Sequence, residues 1–224
     1  MRTREKSEIM LKIVKEFVVM WILTGIGMAI GSILPPFVSL IMSVIALLLI
    51  ISTYFIKDNS KITKVFFAVP FLMGFAFYYS VSFFLQKLGG QMVLGVLILT
   101  LLMFLGLGFL GYVAIKRDLG FLGVFLLLAL IVLIVASIIS IFFTSYLLQL
   151  LITLGGVLIF SLYIIFDFNR IQHDNIQRNE TTGYALSLYL DFINLFLYLL
   201  RLVDFFEEWK RRFIFSFSNI NKFL

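Results

Sequence analysis

The chain has 224 residues, of which 62% are hydrophobic and only 13% charged, with a mean hydropathy of +1.11. A soluble domain of that length would need far more charge to cover its surface, so the composition points to an integral membrane protein. There is no cysteine, which excludes disulfides, thiolate metal sites and thiol catalysis; the net charge of +6 lies beside apolar runs, the placement of a membrane topology rather than of a nucleic-acid surface.

Residues 1–12 form a charged lead, and no small-residue cleavage site follows the first apolar run, which therefore reads as a retained span. Seven spans are predicted in a membrane domain over 13–203. They run from Ile13 to Leu34, stopped by Pro35-Pro36; Phe37 to Ile56; Val65 to Leu85; Gln91 to Ile115; Leu119 to Phe143; Tyr146 to Phe168; and Tyr184 to Val203. Each is long enough to cross about 30 Å of hydrocarbon as a helix, and none alternates with period 2 as a barrel strand would. The predicted class is an all-α polytopic protein, without a soluble domain or internal repeat. Residues 204–224 mix aromatic and basic side chains and suit a helix on the membrane surface.

Basic residues set the expected orientation. Arg2, Arg4, Lys6, Lys12, Lys15, Lys57, Lys61, Lys64, Lys116, Arg117, Arg170 and Arg178 fall on one side, against Lys87 alone in the intervening loops. This places the N-terminus in the cytoplasm. The basic tail after the seventh span conflicts with that pattern. Either the seventh segment dips in and returns, or the tail lies outside.

Two polar stripes cross the last two spans. Ser187, Asp191, Asn194, Tyr198 and Arg201 are spaced 4, 3, 4, 3 in ALSLYLDFINLFLYLLR; Tyr163, Asp167 and Arg170 are spaced 4, 3 in SLYIIFDFNRI. At 3.6 residues per turn each set shares one face, and both faces should meet protein or water rather than lipid. The two helices are consecutive and antiparallel, so Asp167 and Asp191 lie towards the same side. Two carboxylates so placed cannot both ionise cheaply and would share a proton. Calcium, which takes negatively charged oxygen ligands, would compete for the same pair. A structural role, with each carboxylate bonded to a neighbouring helix, stands beside this ionic one.

Other features read as structural. Gly106, Gly108 and Gly111 make a GxGxxG string inside an apolar run with no strand before it, so they suit close helix packing, as do Gly25, Gly27 and Gly31. Pro70 is positioned to kink the third span. His173, the only histidine, sits in a polar loop, either exposed there or tuning a pH response. A lone histidine with scattered carboxylates has no metal-ligand spacing, and no catalytic set stands out. An intramembrane aspartyl protease would carry GxGD, whereas Asp191 follows LYL.

SLYIIFDFNRI followed by ALSLYLDFINLFLYLLR, with the charged turn AIKRDLGFLG, resembles the Bax inhibitor-1 (transmembrane BAX inhibitor motif) family in its prokaryotic form. The resemblance implies seven helices with the last one central, and a calcium leak controlled by pH. Asp167 and Asp191 match the family's aspartate pH-sensor positions. It also implies a basic latch near the second-to-third-span loop, for which Lys57 is the candidate, with Lys61 and Lys64 behind it. Some members carry an acidic residue in the second helix. This one has none, which leaves Ser43, Ser52, Tyr54 and backbone groups to line a path there. The expected function is thus a pH-sensitive calcium leak channel, not an enzyme, in a prokaryotic plasma membrane. It needs no cofactor, takes calcium as the transported ion, and has lipid, calcium and protons as partners, with no nucleic acid. The alternatives are a non-conducting regulatory membrane protein and a proton-coupled transporter of another small solute.

Overall fold

The computed structural model describes residues 2–52, 59–143 and 145–220. Seven α-helices follow in chain order: α1 (Arg2–Gly31), α2 (Pro36–Ser52), α3 (Asn59–Leu88), α4 (Gly90–Phe109), α5 (Leu122–Phe142), α6 (Tyr146–His173) and α7 (Thr181–Ile220). The last turn of α4 widens into a π-helix over Leu110–Ala114. Six of these helices are long and apolar enough to cross a membrane; the described part of α2 is apolar but only 17 residues long. The protein is an all-α, integral multi-pass membrane protein.

Lipid is as apolar as leucine, so packing and hydrogen bonds rather than apolar burial join the helices. Close approach is clearest between α1 and α3. A Cβ added to Gly27 would lie 2.1 Å from the Phe71 carbonyl oxygen, and one on Gly74 2.4 Å from that of Thr24. Beside them Thr24 bonds the Tyr189 hydroxyl of α7 at 2.6 Å and donates to the Pro70 carbonyl at 3.2 Å. Gly31 packs on Phe75, Gly108 on the Phe168 ring and Gly111 on the Ile165 backbone, as the glycine spacing predicts. Gly25 and Gly106 depart from that expectation, since each faces open space.

The last helix is the centre of the bundle. Over half of its apolar window (56%) is buried, against 11% for α5. It packs on α1, α3, α4 and α6, with Trp21, Phe77, Phe104 and Phe168 in ring contacts around Tyr189, Phe192 and Phe196. Such ring pairs contribute about 0.5–1.5 kcal/mol each beyond burial. The helix runs unbroken from Thr181 to Ile220, so the seventh segment does not dip and return, and no break marks the expected boundary at 203/204. The charged lead is likewise continuous with the first span within α1.

Ion pairs define the two ends. At the N-terminal end, Lys6 and Lys12 donate to the carbonyls of Gln172 and Arg178, and Arg178 pairs with Glu8 at 2.8 Å. At the opposite end, α3 turns sharply into α4 through Gly89, whose φ of 83° suits a residue without a Cβ. Lys87, just before this turn, reaches Asp204 and Glu208 of α7, each at 2.6 Å.

Candidate functional site

Asp167 of α6 and Asp191 of α7 are both buried, and their carboxyl groups lie within hydrogen-bonding reach of each other. Ser187, one turn before Asp191, lines the same space as the pair. Asp191 Oδ2 is buried with no hydrogen-bond partner among the described residues. The two spacings in the sequence predict this meeting, because each stripe turns one face of its helix to the other.

Among the described residues, the cation beside the pair is Arg170. Its Nη1 is 3.9 Å from Asp167 Oδ1 and its Nε is 3.4 Å from Asp174. The guanidinium is sandwiched between the rings of Phe166 and Tyr184, at 5.5 and 5.1 Å, and the Tyr184 hydroxyl donates to Asp174 at 2.7 Å. A planar, always-charged guanidinium suits this stacked, multi-partner position better than an ammonium would. Lys57 lies outside the described residues, as does the side chain of Lys61; Lys64 is exposed and does not line the site.

From the pair, a cavity of about 1040 Å³ extends between α5, α6 and α7. Every stripe residue lines it: Tyr163, Asp167, Arg170, Ser187, Asp191, Asn194, Tyr198 and Arg201. Apolar α5 residues such as Leu133, Ile134 and Ile138 form the facing wall, and Lys87, Asp204 and Glu208 line the far end. From Asp191 to Asp204 along α7 is about 20 Å at 1.5 Å per residue, most of a hydrocarbon core. Tyr198 also packs on α6: its ring stacks on Phe160 at 5.7 Å and fills the space above Gly156. Arg201 lies over the Tyr198 ring at 5.3 Å, and Asn194 donates back to Leu190 of its own helix. The serines of α2 do not line the cavity; Ser43 and Ser52 donate to carbonyls within their own helix, and Tyr54 lies outside the described residues.

Among the described residues no three carboxylate or histidine side chains converge as a metal site. The pair offers a calcium ion two carboxylates and a hydroxyl, short of the six to eight oxygens it takes.

Asn169 shows no signal in sequence spacing, yet it is fully buried, two residues after Asp167 on the side of α6 that meets the charged turn. Its Nδ2 donates to the carbonyls of Gly111, Ile115 and Arg117 at 3.1 to 3.3 Å, and its Oδ1 accepts from the Leu119 amide at 2.9 Å. It thereby satisfies the backbone left open where the π-turn ends and AIKRDLGFLG begins. His173 is not a free loop residue: it ends α6 and bonds the Asn169 and Lys116 carbonyls, each at 3.0 Å. Asn169→Ala is expected to cost about 2–3 kcal/mol by leaving buried backbone groups unpaired. A thermal melt in detergent checks this; an unchanged midpoint would remove Asn169 from the framework.

The chain matches the family described as "Inhibitor of apoptosis-promoting Bax1" over residues 7–208. It is 35% identical over 183 residues to an uncharacterized membrane protein of Vibrio cholerae, covering 79% of this chain and 78% of that protein. It is 33% identical over 172 residues to the uncharacterized protein YrjE of Lactococcus lactis, covering 73% and 71%. An uncharacterized Caulobacter vibrioides protein is 42% identical over 119 residues, covering 50% of this chain; there the match spans only 47% of the relative's length, and 40% for one from Helicobacter pylori. Fold, aspartate pair and these similarities together place the chain in the Bax inhibitor-1 family, the Inhibitor of apoptosis-promoting Bax1 proteins.

Proposed function

We propose that this protein is a pH-sensitive calcium leak of a prokaryotic plasma membrane, with its N-terminus in the cytoplasm. The Asp167–Asp191 pair is its inner gate. One observation carries the reading: two buried carboxyl groups meet at one end of a cavity whose α6–α7 side is a polar stripe and which runs most of the bilayer depth. A shared proton bonds α6 to α7. Loss of that proton places two like charges side by side in a poor solvent for charge, which favours another arrangement of the helices. Arg170, held by two aromatic rings, supplies the counter-charge that sets how readily the proton leaves. A closed–open equilibrium biased in this way responds to pH with no further machinery.

Calcium flux into liposomes carrying the purified protein, across internal and external pH from about 5 to 8, tests the proposal. A flux above that of empty liposomes, varying with pH, is the expected result. Well-folded protein that passes no calcium at any pH would overturn the leak in favour of a non-conducting regulatory membrane protein. A solute-dependent proton movement would point to a transporter instead.

A further inference from the structure

The cavity has a second charged cluster on its wall, distant from the aspartate pair. Lys87, at the end of α3, extends its ammonium between two carboxylates of α7, 2.6 Å from Asp204 Oδ2 and 2.6 Å from Glu208 Oε1. All three side chains line the cavity at the end away from the N-terminus. Lys87 is only 27% exposed and Asp204 only 16%. The lysine stem lies over the Phe83 ring, with Nζ 5.6 Å from its centroid. Lys87 is also the only basic residue that the sequence puts in the loops of this side before the tail.

We propose that Lys87 is a tethered cation that closes this mouth, an outer gate in series with the aspartate pair. The argument is electrostatic. Asp204 and Glu208 are one helical turn apart on the same face, so without a cation between them they repel. Lys87 occupies the position between them, cross-links α3 to α7, and presents its positive charge to any cation approaching the cavity. Released, it would leave two carboxylates that draw cations and water into the mouth. The docking of Lys87 between the two carboxylates is a property of the geometry; the effect on ion flux rests on the leak reading.

The native chain contains no cysteine, so a single one reports access cleanly. Ser137 of α5 lines the cavity and donates only within its own helix, which makes Ser137→Cys a mild probe. The protein, in nanodiscs, is treated with 2-(trimethylammonium)ethyl methanethiosulfonate and followed by mass spectrometry. Lys87→Met is expected to speed modification about tenfold, a population shift well within reach of one lost ion-pair set, and Lys87→Arg to leave it within about twofold. Lys87→Met combined with Asp204→Asn and Glu208→Gln removes all three charges together and serves if the single variant is poorly folded. A rate unchanged by these variants, in protein that melts normally, overturns the gate and leaves a simple tie between helices. The same variants in liposomes separate the two proposals. Faster modification without calcium flux from any variant keeps the gate and removes the leak. Calcium flux with unaltered modification does the reverse.

Discussion

Asp191→Asn is expected to flatten the pH dependence of calcium leak in liposomes, removing a change of about tenfold across the sensitive range. Asp167→Asn should do the same, and the double variant should add little, because two groups sharing a proton act as one unit. Asparagine keeps the shape and hydrogen-bonding capacity of the carboxylic acid, so the bundle should still assemble. Arg170→Gln makes a useful third case. It removes the guanidinium 3.9 Å from Asp167 while leaving both carboxyl groups. Loss of a nearby positive charge makes the doubly ionised state costlier, so the response should move to higher pH without disappearing. A pH profile that survives both aspartate substitutions would show that the gate lies elsewhere, whatever the protein conducts.

Gly74→Val is expected to cost more than about 3 kcal/mol and to prevent recovery of folded protein, since overpacking a close backbone contact leaves no side chain free to yield. The Cβ alone would sit 2.4 Å from the Thr24 oxygen and 2.9 Å from the Gly27 Cα. Relief requires α1 to move off α3, and that separates Thr24 from both Pro70 and Tyr189, undoing the link to the central helix. Gly25→Val, on α1 but facing open space, should melt within a few degrees of the wild type, since it meets nothing within 4 Å. Size-exclusion profiles and thermal melts of the two variants in detergent provide the comparison. Similar behaviour of both would mean that the α1–α3 contact contributes little to assembly.

The contrast between those glycines also marks what a linear chain can convey. Composition and run length determined a helical membrane protein, because a backbone in hydrocarbon must satisfy its own hydrogen bonds. The 3.6-residue period likewise determined that Asp167 and Asp191 look out from polar faces of consecutive antiparallel helices. Both are local rules, and they are written in neighbouring residues. Helix spacing does not tell which glycines face a partner, and so Gly27 and Gly25 looked alike. It did not single out Asn169, whose four bonds reach the π-turn and the loop after it, 50 to 58 residues earlier in the chain. Nor could it pair Lys87 with Asp204 and Glu208, which are 117 and 121 residues away. The resemblance pointed to Lys57 as a charge near the aspartates, a residue outside the described ones; the fold itself brings Arg170, from the same helix turn, beside Asp167. These partners were decided only by how α3, α6 and α7 dock, because an ion pair or a buried amide is set by distance in space, to which sequence separation gives no guide.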